Sequence, residues 1–81
     1  MSVEIIPFPA ARRVGFVRRM ARLLAGYRPD AAERTLSAQL DAAHQAMLRR
    51  GVAPEVAARE VRSLELAIRA RLWTIVGGDV A

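Results

Sequence analysis

The chain has no cysteine, no lysine and no asparagine. Without cysteine no disulfide staples the fold and no thiolate holds a metal, so stability must come from apolar packing or from a partner chain. Aromatic residues are scarce: two phenylalanines, one tyrosine and one tryptophan. No apolar run approaches the length that spans a bilayer, and no uninterrupted apolar stretch follows the early arginines as a secretory signal requires. Enzyme signatures are missing too. There is no Gly-rich phosphate loop and no Gly-x-Ser-x-Gly elbow, and His44 is the single histidine. His44 lies beside Leu36, Leu40 and Met47, the position of a boundary or core residue, and no further metal ligands assemble around it. No catalytic residue, metal or cofactor is therefore expected.

What the chain does have is arginine, which makes up all 13 basic residues. Codon usage in a GC-rich genome explains such a bias, but the chemistry matters either way. The guanidinium fork grips phosphate or carboxylate through paired hydrogen bonds. The charge is uneven. Residues 1–28 hold six arginines and one acid, whereas residues 29–81 hold seven of each. The whole formal excess of +5 sits in the first third, which points to an anionic partner for that end.

Eighty-one residues make one domain at most. Pro7 and Pro9 push their predecessors out of the helical region, so residues 1–8 read as an extended arm. Its Ile5, Ile6 and Phe8 either close the core or add onto a partner. Three helices are predicted after it, over 9–25, 31–50 and 54–76, with a flexible tail over 77–81. Ala10, Val14, Val17, Ala21 and Leu24 form the apolar stripe of the first, widened by Phe16, Met20 and Leu23, and Gly26 is placed to end it as a left-handed cap. Asp30 is the expected N-cap of the second, with Glu33 reaching back in a capping box. Leu36, Leu40, Ala43 and Met47 line its buried face, and Gly51 closes it. Ala57, Val61, Leu64, Ile68, Leu72 and Ile75 form the stripe of the third. Glu55–Arg59 and Glu65–Arg69 are placed to pair along it. The fold class is all-α, a long antiparallel hairpin of helices two and three with helix one across it.

Two surfaces stand out. Arg12, Arg18, Arg19 and Arg22 share one arc of the first helix around Gly15. Arg59, Arg62, Arg69 and Trp73, with Leu66, lie opposite the core stripe of the third, a composition typical of protein–protein hot spots. Helix one or the N-terminal arm could also cover Leu66 and Trp73. A DNA-reading helix-turn-helix is disfavoured, because "RRGVAPE" joins two helices of about twenty residues each.

"EIIPFPAARRVGFVRRMA", a segment ending "RRGV" and one containing "LELAIRARLW" together resemble a domain-of-unknown-function family of alphaproteobacteria and their mobile elements. The likeness covers most of the chain, and the IIPFP-x-x-RR opening is its most specific part. The resemblance implies no catalytic residues and no known activity. In size and style the chain is also similar to phage-encoded anti-CRISPR inhibitors. Some of these bind the nucleoprotein effector of type I systems and block target DNA. Many are acidic DNA mimics. This chain is basic, so that likeness implies contact with an acidic protein surface or with guide RNA.

The expectation is a non-enzymatic, cytoplasmic, helical binding protein, monomer or homodimer. It occludes part of a larger protein or nucleoprotein complex through the eight residues named above. The rival is a nucleic-acid-binding accessory protein that uses the same arginines on phosphate. A third reading lays the basic helix on a membrane surface. An acid-poor, arginine-rich start also suits a mitochondrial presequence, against which the good packing face of the helix argues.

Overall fold

Two polar contacts set the directions of the helices. In the computed structural model, which describes residues 10–77 with side chains from residue 12 onward, the chain forms α1 (Ala10–Ala25), α2 (Pro29–Arg49) and α3 (Pro54–Gly77). Arg13 near the start of α1 meets Glu60 near the start of α3, so these two run in parallel. Glu33 near the start of α2 meets Arg69 late in α3, so these run antiparallel. The described residues contain no strand, and the fold is the all-α three-helix arrangement that the apolar stripes predict. The arm over residues 1–8, the residues after 77 and the side chain of Ala10 lie outside the described residues.

The two connectors end their helices differently. Pro29 has a fixed φ and no N–H, which suits the first helical position, and it holds Arg28 extended at φ −65°, ψ 152°. The expected Asp30 cap is therefore corrected. Helix α2 starts at Pro29, and Arg28 occupies the cap position with no side-chain cap bond. Asp30 falls inside the first turn, where its charge favours the positive end of the helix. Glu33 turns outward to α3, so the capping box does not form. Gly26 is corrected as well, since Gly51 has the one positive φ among the described glycines, at 91°. Helix α1 instead closes with tight bonds from Gly26 N–H to the Leu23 carbonyl and from Tyr27 N–H to the Leu24 carbonyl. At Gly51 a Schellman motif forms. Gly51 N–H donates to the Leu48 carbonyl at 3.0 Å and Val52 N–H to the Met47 carbonyl at 3.1 Å. The apolar contact that accompanies the motif is present too, because Val52 and Met47 are buried together with Ala57.

The main core joins Met20 and Leu24 of α1, Ala32, Leu36 and Leu40 of α2, and Leu64 and Ile68 of α3. Helix α2 runs antiparallel to α3 as the expected hairpin, and helix α1 packs more extensively on α3 than on α2, so α3 is the spine that both other helices share. Three expected core positions move outward. Val14 is 50% exposed and Leu23 is exposed, because α1 is rotated to bring Arg13 onto α3. Ile75 is 49% exposed. Arg69 already meets Glu33 in the first turns of α2, so the last turn of α3 runs past the end of the helix it lies on.

Candidate functional site

Arg12, Arg18, Arg19 and Arg22 are all exposed and share the solvent face of α1. Among the described residues none of them pairs with a carboxylate. Arg18, Arg19, Arg22 and Leu23 line a shallow depression floored by Gly15. A Cβ at Gly15 would lie 3.2 Å from Arg19 Nη1, so the missing side chain lets the guanidinium fold over the helix surface. This arc is unfavourable for the isolated helix in two ways. Arg18 and Arg22 repel each other at i,i+4. Arg12 also stands in a first turn that holds no acid, against the positive end of the helix dipole.

Arg13, the neighbour of Arg12, points the other way. It donates to Glu60 Oε1 and to Ser63 Oγ on α3, and both charged partners are part-buried. One arginine of the pair holds the fold and the other faces water. Arg71, which sequence reasoning left unassigned, stands across a groove from Arg18, with Val14, Val17 and Ala67 between them. Its approach to α1 depends on the α1–α3 packing and has no local sequence signal.

The α3 residues split. Arg59 and Arg62 are exposed, and Trp73 and Leu66 are 70% and 64% exposed, so α1 does not cover them. Glu55 and Arg59 form no ion pair, a correction to the expected pairing; both side chains are exposed, and water competes for them. Glu65–Arg69 does form, at 3.0 Å. Arg69 belongs to a clamp. Its Nη1 and Nη2 donate to the two oxygens of Glu33 at 2.7 and 2.9 Å, while its Nε donates to Glu65. Of the four candidate residues on α3, Arg69 is therefore the one already committed inside the fold.

The Arg69 hydrogen bonds hold the Glu33 carboxyl below its ordinary value, with the Arg69 charge adding to the effect. Glu33 and Glu65 raise Arg69 in turn. A carboxyl depressed in the folded state contributes stability above its unfolded pKa and loses it as pH falls through the depressed value. An NMR pH titration is therefore expected to find Glu33 titrating below ordinary glutamate, and Arg69→Gln is expected to return it to the ordinary range. Unchanged titration in that variant would remove the clamp as the cause.

His44 is half-buried in a shallow depression between α2 and α3, beside Asp41 and Glu65. Among the described residues no group of three His, Asp or Glu side chains is placed to hold a metal ion, and no helix is long and apolar enough to cross a membrane. No curated protein and no solved structure matches the chain. The pattern of a family of unknown function, DUF6074, matches residues 1–81, and the chain belongs to that family.

Proposed function

We propose that the protein is a non-enzymatic binding protein that occludes an acidic surface on a larger protein or nucleoprotein assembly. The observation that carries this reading is the α1 arc of Arg12, Arg18, Arg19 and Arg22, exposed, mutually repelling and without acidic partners among the described residues. Four guanidinium groups on one rigid face, beside a small apolar patch at Leu23, suit bidentate contacts to carboxylates or phosphates. The sequence resemblance to a family of mobile elements, and the resemblance in type to phage inhibitors, suggest the most specific form of the proposal, inhibition of a type I effector complex. The outer face of α3 is not needed for that contact.

The test changes all four arginines to glutamine. Each site is exposed, so folding is expected to change by no more than about 0.5 kcal/mol per site. Tagged wild-type protein is expected to capture a defined assembly from host extract, with the capture surviving nuclease and lost in the quadruple variant. Capture of bulk nucleic acid that disappears with nuclease would favour the nucleic-acid rival. In that case binding to duplex DNA of any sequence falls with salt at a log–log slope of about −3 to −4, for four phosphate contacts. A folded quadruple variant that captures the same assembly as wild type would end the proposal.

A further inference from the structure

The outer face of α3 carries a pattern that its own fold does not use. Leu66 and Trp73 point away from both neighbouring helices. Helix α1 reaches one flank of α3 at Glu60 and Ser63, and α2 reaches the other through Glu33 at Arg69. Leu66 is the central large apolar residue of this face. Arg62 and Ala70 lie four residues to either side, Arg59 and Trp73 seven, and Glu55 and Gly77 eleven. Steps of four, seven and eleven stay on one face of a helix. An antiparallel copy centred on Leu66 therefore sets Arg62 against Ala70, Arg59 against Trp73 and Glu55 against Gly77.

We propose that this face is a homodimer interface, in which α3 packs antiparallel on α3 of a second copy about a two-fold axis at Leu66. The matched positions complement one another chemically. Leu66 meets its own copy. Arg59, which is not engaged in an ion pair, lies against Trp73 of the second copy, a guanidinium on an indole face. Glu55, one turn further on, stands where it can accept the indole N–H. Arg62 meets Ala70, whose small side chain leaves room for the arginine stem.

The charges agree as well. Beside Ala70 stands Arg69, whose guanidinium is already met by Glu33 and Glu65. That triad carries one net negative charge, so the Arg62 of the second copy approaches a carboxylate-rich spot. A single helix supplies cations in its first half and the aromatic ring in its second. A second antiparallel copy provides each half with its complement by symmetry alone. A helix pair over residues 55–77 is about 33 Å long, a modest interface that suits micromolar association. The axis leaves the flanks of α3 on their own sides, so both α1 arginine arcs lie on the same side of the dimer, as a bivalent basic face.

Light scattering and sedimentation over a range of protein concentrations test this. Wild type is expected to show a monomer–dimer equilibrium, and Trp73→Ala to weaken it by at least about tenfold. Leu66→Glu and Leu66→Arg are each expected to be folded monomers by circular dichroism, because position 66 is exposed and would meet a like charge on its copy. Mixing the two is expected to restore a heterodimer, since only a residue on the two-fold axis pairs with its own equivalent. A wild type that stays monomeric at all concentrations would overturn the proposal. So would a Leu66→Glu variant that dimerises like wild type, or a mixture that fails to pair.

Discussion

Leu64→Ala and Ile68→Ala are each expected to lower stability by about 2–4 kcal/mol. Both side chains are fully buried, and both belong to the cluster where α1, α2 and α3 meet. Truncating either removes buried apolar surface and leaves a cavity between helices that cannot close without moving two interfaces together. A chain of 81 residues has only about 4–12 kcal/mol of net stability, so either change consumes a large share of it. The expected drop in melting temperature is on the order of 10–25 °C. Ile75→Ala is the control. It removes the same carbons from the last stripe position, but that side chain is half in water, and the expected loss is under about 1 kcal/mol. If all three variants melted together, the core would not be centred where Leu64 and Ile68 lie.

That contrast shows which parts of the fold the sequence made legible. Apolar spacing located three helices to within about two residues at each end, because burial of one face is what a helix of this size needs to be stable. Gly51 was legible because a Schellman motif requires a residue that tolerates positive φ, and the chain offers a glycine there followed by an apolar residue. Ile75 was not legible as exposed. Its spacing is that of a core residue, and its exposure follows from where α2 begins. Asp30 failed for a local reason: two competing start signals stood side by side, and Pro29 prevailed. The Arg69 clamp joins residues 36 apart, a separation at which charge patterning along one helix has nothing to say.

The candidate site divides in the same way. The charge excess in the first third marked α1 as a basic helix, and helical spacing put Arg12, Arg18, Arg19 and Arg22 on one arc. Arg13 was assigned no role from the sequence, and what it does became visible only from α3, where Glu60 and Ser63 meet it. Trp73 was ambiguous between a covered and a free ring. The packing of α1 along the opposite flank leaves it free.

The adjacent arginines therefore make a sharp comparison, in which Arg13→Gln is expected to cost about 1–3 kcal/mol and Arg12→Gln no more than about 0.5 kcal/mol. Glutamine keeps much of the length and helix propensity of arginine, so each change isolates the charge and the fork. At Arg13 the loss falls on a part-buried contact, with Glu60 only 19% exposed and left without its cation. A carboxylate held from water keeps its desolvation penalty when its partner is removed. Glu60→Gln in the Arg13→Gln background is then expected to recover part of the loss, since it removes the unpaired charge. The double-mutant cycle is expected to show a coupling of at least about 0.5 kcal/mol. Urea unfolding followed by circular dichroism, at one protein concentration for all four chains, measures it. Binding is expected to sort the pair in reverse. Arg12→Gln weakens capture of the anionic partner without touching stability, while Arg13→Gln spares binding wherever the protein remains folded. Equal and negligible effects of the two substitutions on stability would mean that Arg13 anchors nothing. It would then join the solvent-facing arginines of α1 as a contact residue, and the packing of α1 would rest on its apolar side chains, Phe16, Val17, Met20 and Leu24 among them.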